Sequence, residues 1–119
     1  MEAYLARAMR DYERSLKLTK APLITYQCIL GISMLQGREE LSRRMLDASI
    51  RIDPKNFVVR YKYLGTLQTR WGGSLEAMID FERESRAAGL TEAQLAYFTR
   101  MIATERRWLA GDRSCCSRR

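Results

Sequence analysis

The chain has no histidine. That removes the commonest general base, the usual imidazole of a zinc site, and the usual partner of a nucleophilic serine or cysteine. Prolines number two, in a chain that is 46% hydrophobic and 29% charged. This balance leans towards helix and excludes a disordered composition. The cysteine count of three is odd and gives no disulfide framework. Cys28 lies in an apolar run, where a free cysteine behaves as a small hydrophobe. Adjacent Cys115 and Cys116 lack the C-x-x-C spacing of a zinc site. A reducing compartment fits this usage best.

Long apolar runs are missing too. The longest, from Ala21 to Leu35, is interrupted by Tyr26, Gln27 and Ser33. It is too short to span a bilayer and reads as a core helix. The start, Met1-Glu2-Ala3-Tyr4, lacks the basic and apolar segments of a secretory signal. A cytoplasmic protein without a membrane element is expected. Its 119 residues suffice for one domain whose core needs no metal or disulfide. Residues 1–112 are read as that domain and 113–119 as a flexible basic tail.

Positive charge is in excess but unevenly spread. The formal net charge is +7, of which +2 falls on residues 1–20, +3 on 38–62, −1 on 63–90, zero on 91–112 and +3 on 113–119. The part expected to fold is only mildly basic.

What is present is helical periodicity. A first helix runs from about Glu2 to Leu18, with Leu5, Ala8, Met9, Tyr12 and Leu16 on one stripe. Lys20-Ala21-Pro22 ends it, and Pro22 suits the first turn of the next helix. That second helix carries Ile24, Cys28, Leu30, Gly31, Met34 and Leu35, and stops near Gln36-Gly37. A third, about Arg38 to Ile52, repeats Leu41, Met45, Ala48 and Ile52. Asp53-Pro54-Lys55-Asn56 breaks the pattern. A fourth covers about Phe57 to Arg70, with Phe57, Tyr61, Leu64 and Leu67 inward. Ser74 caps a fifth, with Glu76 in its first turn and Leu75, Met78, Ile79 and Phe81 as apolar contacts. Thr91-Glu92-Ala93-Gln94 has the form of a capping box and opens a sixth helix. Leu95, Phe98, Ile102 and Leu109 make its stripe, with Gly111 as its stop. No stretch alternates with period two long enough to predict a strand.

Leu30-Gly31 and Leu64-Gly65 stand 34 residues apart, the period of tetratricopeptide repeats. The Asp53-Pro54-Lys55-Asn56 turn resembles the boundary of such a repeat. Ser42 and Ser49 around Leu46 resemble the pattern of its second helix. The resemblance covers roughly residues 23–88 as two degenerate repeats. It implies an all-α, right-handed array of antiparallel hairpins, in which a small residue of the first helix lets the second approach closely. The first helix would lead the array and the sixth would cap it. An ordinary helical bundle is the competing architecture.

Arg70-Trp71-Gly72-Gly73-Ser74, followed by Met78 and Phe81, is similar to a signature in the bacterial domain-of-unknown-function family 4034. The similarity extends loosely over residues 48–88. It implies a tetratricopeptide-like helical protein and no activity assignable to particular residues. Physically, two glycines permit a left-handed turn, Ser74 caps the next helix and Trp71 fills the corner. Arg70 and Trp71 are also the residue types enriched in binding hot spots, which makes them the leading partner-contact candidates. On the helices that open each pair, Tyr26, Gln27, Tyr61 and Lys62 are the candidates for an inner binding surface.

Signals for chemistry are weaker. Glu39 with Glu40, and Glu82 with Glu84, are predicted on polar helix faces with arginines nearby. No glycine-rich phosphate loop, metal constellation or activated nucleophile is present. No enzyme activity, cofactor or metal is expected. Arg43-Arg44, Arg106-Arg107, Lys55, Arg60 and Lys62 could suggest nucleic-acid contact, but Glu39, Glu40, Asp47, Asp53 and Glu105 are interspersed. Mixed charge of this kind is usually a solvated face. The tail with Cys115 and Cys116 does not match a prenylation box. The reading is a non-catalytic helical scaffold or adaptor module that binds a protein or peptide. Two alternatives stand beside it: an accessory or immunity-type protein with one cognate partner, and a weak electrostatic nucleic-acid binder. Self-association through an exposed apolar end is a further expectation.

Overall fold

A computed structural model of the protein describes residues 1–18 and 23–111. Lys20-Ala21-Pro22 and residues 112–119, with Cys115 and Cys116, lie outside the described residues. Six α-helices are present among those described: α1 (Glu2–Leu18), α2 (Leu23–Leu35), α3 (Glu39–Ile52), α4 (Phe57–Thr66), α5 (Leu75–Ala87) and α6 (Glu92–Leu109). A single 3₁₀ turn, Thr69–Trp71, lies between α4 and α5. No strand occurs among the described residues. None of these helices is long and apolar enough to cross a membrane. Two compact units can be distinguished, Met1–Tyr63 and the residues from Leu64 onward.

In the first unit, α2 packs on both α1 and α3. Met9, Ile29 and Leu41 form a buried cluster, one from each helix, with Tyr12, Leu16, Ile32 and Met45 packed against it. Burying each such side chain stabilises by about 1.5–3 kcal/mol relative to exposure. The stripe expected on α1 is therefore its inward face. Ile24, expected among the apolar contacts of α2, is 78% exposed.

Close approach of α2 and α3 belongs to serines. Ser33 and Ser42 are buried with their hydroxyls 2.6 Å apart, and Ser33 also donates to the Leu30 carbonyl at 2.8 Å. Gly31, expected to permit that approach, has room to spare: beyond its chain neighbours and the backbone of its own helix, a Cβ there would meet no described atom within 4 Å. The same holds for Gly65. Gly37 closes α2 with φ 68°, as Arg38 N–H bonds the Ser33 carbonyl and Gly37 N–H that of Met34. This paired arrangement satisfies two carbonyls that the helix end would otherwise orphan.

Two inner faces differ from the expected ones. On α3, Leu41, Ser42, Leu46 and Ser49 are buried, while Ile52 is substantially exposed. Ser42 meets Ser33 of α2, and Ser49 returns its hydroxyl to the Met45 carbonyl of its own helix at 2.8 Å. On α4, Val59, Arg60, Tyr63 and Leu64 are buried, and Phe57 and Tyr61 are half-buried with their rings 5.5 Å apart. Asn56 Oδ1 accepts the Val59 N–H and so caps this helix. The α-helix also ends at Thr66, not Arg70. Leu67 and Gln68 bond back three residues, to Leu64 and Gly65, and Gln68 then turns extended.

In the second unit, α5 packs on α6. Met78, Phe81, Leu90, Leu95, Phe98 and Ile102 are buried, and the Phe81 and Phe98 rings stack with centroids 6.2 Å apart. Ser74 accepts the Ala77 N–H at the start of α5. Thr91 and Gln94 close a reciprocal capping box on α6. Leu109, expected on the α6 stripe, is 47% exposed, whereas Glu105 is only 6% exposed. A carboxylate thus takes a place that periodicity assigned to an apolar face.

Candidate interaction surface

The best-defined corner of the second unit is built from Leu67 to Ser74. The Gln68 carbonyl accepts the N–H groups of both Trp71 and Gly73, and Gly72 N–H bonds the Thr69 carbonyl. Gly72 takes φ 92°, a conformation that an L side chain rarely adopts. Gly73 does not share that conformation; its requirement is space, because a Cβ there would run into the Leu67 backbone. The two glycines do different jobs, and the left-handed turn needs only the first.

Glu105 fixes this corner from α6. Its Oε1 accepts the Thr69 backbone N–H at 2.9 Å. A backbone donor at the start of a short helical turn would otherwise lack a partner inside the turn. Burying a charged acceptor is costly unless such a bond is made, so the pairing ties the corner to α6. Beside it lies a cleft of about 100 Å³ lined by Gln68, Arg70, Thr104, Glu105 and Trp108.

The guanidinium of Arg70 lies over the Trp71 ring at 5.7 Å and donates to Gln68 Oε1 at 3.2 Å. Arg70 is exposed and Trp71 half-buried. These two candidates are brought into contact. Tyr26 and Gln27 are half-buried neighbours on α2. Tyr61, half-buried, belongs to α4 and rests against Phe57, while Lys62 beside it is exposed. Sequence reasoning missed Gln68, Thr104, Glu105 and Trp108 as parts of one site. One signal was available: Glu105 continues the spacing Leu95, Phe98, Ile102, and so sits on the apolar stripe before Leu109.

The other charged residues are placed as follows. Arg60 is 3% exposed, and its Nε and Nη2 both donate to the Pro54 carbonyl, at 3.1 and 3.0 Å. It is a structural clamp on the turn before α4, removed from any phosphate-facing surface. Arg43 pairs with Asp47 at 3.2 Å and lies over the Tyr63 ring. Glu82 is bound by Arg86 at 2.7 Å, and Arg86 reaches Glu92 at 2.8 Å. Hydrogen bonding to Glu82, then the charges of Glu82 and Glu92, hold the Arg86 guanidinium above its ordinary pKa. Glu39 and Glu40 are exposed around an open depression of about 390 Å³ at the start of α3. Among the described residues no group of three or more acidic or cysteine side chains is arranged to hold a metal ion.

Comparison with protein-family models, curated proteins and solved structures returns no match.

Proposed function

We propose that the chain is a non-catalytic, helical protein–protein interaction module, built as a tetratricopeptide-like array of antiparallel hairpins. The observation that supports this reading is the Arg70–Trp71 pair. It stands on a corner held by Glu105, two glycines and the Gln68 carbonyl. An arginine and a tryptophan on a preorganised turn lose little freedom on binding, which is what makes residues of these types energetic anchors. The packing of α2 on α3 through buried serines supports the hairpin element of the reading. An accessory or immunity-type protein with one cognate partner would be a special case of the same docking.

Affinity capture with the intact protein tests the proposal, alongside Arg70→Ala and Trp71→Ala variants whose folding is checked by circular dichroism. Partners retained by the parent chain should be depleted by both variants. If folded Arg70→Ala and Trp71→Ala capture the same partners at the same strength, the corner is a packing device and the proposal fails.

A further inference from the structure

Charge in the second unit is segregated. Among its described residues, the carboxylates Glu76, Asp80, Glu82 and Glu84 lie on α5, and Glu92 opens α6. Ion pairs lie there too: Arg83 with Asp80, and Arg86 with Glu82 and Glu92. The part of α6 from Arg100 onward and the adjoining corner carry Arg70, Arg100, Arg106 and Arg107. The one carboxylate among them in the described residues, Glu105, is buried and bonded to the Thr69 N–H.

Arg100, Thr104 and Arg107 follow one another at spacings of four and three, so they share one helix face. Both arginines are exposed. Thr104 also lines the cleft with Gln68, Arg70, Trp108 and Glu105, whose Oε1 is taken up by the Thr69 N–H. The face and the cleft are therefore one continuous surface, cationic at its rim. Arg100 lies over the Tyr97 ring at 4.8 Å, as Arg70 lies over Trp71. A guanidinium resting against a ring can still present N–H donors at its outer edge, where they suit a carboxylate. The stacking also limits the motion of a long side chain, so less freedom is lost when a ligand binds.

From this geometry we infer that the surface formed by Arg70, Arg100, Thr104, Arg107 and Trp108 binds an acidic peptide segment of a protein partner. The inference rests on the interaction-module reading and names the chemistry of its partner. Carboxylates of the segment bridge the arginine edges, and Thr104 supplies a hydroxyl between them. Trp108 offers apolar contact in a cleft sized for one side chain. An acidic peptide suits the surface better than a nucleic acid. Single strands are held by bases stacking on open aromatic faces, and here one face of the Tyr97 ring and one of the Trp71 ring are already taken by an arginine of the chain itself.

Titration by fluorescence anisotropy tests the inference, using the full chain and a labelled oligoglutamate peptide. An oligolysine peptide and a single-stranded oligonucleotide are titrated in parallel. The oligoglutamate should bind, the oligolysine should not, and the oligonucleotide should bind more weakly than the oligoglutamate. Arg100→Glu with Arg107→Glu should weaken oligoglutamate binding by roughly tenfold or more, the loss expected for two charge-assisted contacts. A charge-matched control, Arg10→Glu with Arg14→Glu on exposed positions of α1, should weaken it far less. Circular dichroism and thermal melting should leave both double variants folded. Absence of oligoglutamate binding, equal losses in the two double variants, or tighter binding of the oligonucleotide would each overturn the inference. Failure here, with partner capture still dependent on Arg70 and Trp71, would discard the acidic segment and leave the interaction module standing.

Discussion

Glu105 on α6 accepts the backbone N–H of Thr69 at 2.9 Å, joining positions 36 residues apart. The bond closes the corner that carries Arg70 and Trp71, and it gives a buried carboxylate a partner. Replacing Glu105 with alanine leaves the Thr69 N–H without its acceptor, at a cost of about 1–3 kcal/mol. Glu105→Gln keeps a carbonyl oxygen in reach and should cost less than alanine. Urea denaturation of the three proteins checks this order. Equal stability of the parent and Glu105→Ala would show that the bond contributes nothing.

Glycines in this chain should respond to alanine with opposite signs. Gly73→Ala places a Cβ against the Leu67 backbone, and the corner must open to accept it, with a loss of about 1–3 kcal/mol expected for overpacking. Gly31→Ala, inside α2 and with open space around the new methyl group, should stabilise by about 0.5–1 kcal/mol through helix propensity. Thermal melts of the two variants beside the parent should bracket it. A Gly31→Ala protein that melts well below the parent would contradict the open space described.

Ser42 is a second point where size decides the outcome. It is buried against Ser33 across the α2–α3 contact. Ser42→Ala removes one hydrogen bond, and Ser33 keeps its bond to the Leu30 carbonyl, so a loss of about 0.5–1.5 kcal/mol is expected. Ser42→Leu must force the helices apart and should cost more than the alanine variant. Denaturant midpoints give the comparison directly. A leucine variant as stable as the alanine one would show that α2 and α3 do not meet closely there.

Tyr12 carries a pH signature of the α1–α2 contact. Hydrogen bonding to Cys28, then the charge of Cys28, burial and the charge of Asp11, raise its pKa above the ordinary 10.0. The folded state therefore holds the phenolic proton more tightly than the unfolded chain does. The resulting stabilisation is fully present below the unfolded pKa and is lost as pH rises through the folded one. Spectrophotometric titration should show a late-ionising tyrosine that shifts towards the ordinary value in Cys28→Ala. An unchanged titration in that variant would remove Cys28 as the cause.

Local features were legible because local forces make them. The span Glu2–Leu18, the Ser74 cap and the Thr91–Gln94 box were read from neighbouring residues, and the structure contains each. Caps and helical periodicity act within a few positions, so the order of residues carries them. Burial depends on what arrives from elsewhere in the chain. Periodicity chose Leu109 where α6 buries Glu105, and it placed Ile52 on the inner face of α3, where Ser49 is buried instead.

The amino-acid order thus determined the number and approximate spans of the helices, the caps at Ser74 and Thr91, and the adjacency of an arginine and a tryptophan at a glycine corner. Tertiary structure alone decided that Arg60 clamps the Pro54 carbonyl and that Glu105 reaches Thr69. It also decided that Gln68, Thr104 and Trp108 line one cleft with Arg70. The physical reason lies in packing. The Arg60 guanidinium and the Glu105 carboxylate are buried with the partners that packing brings to them, and helical periodicity does not specify those meetings.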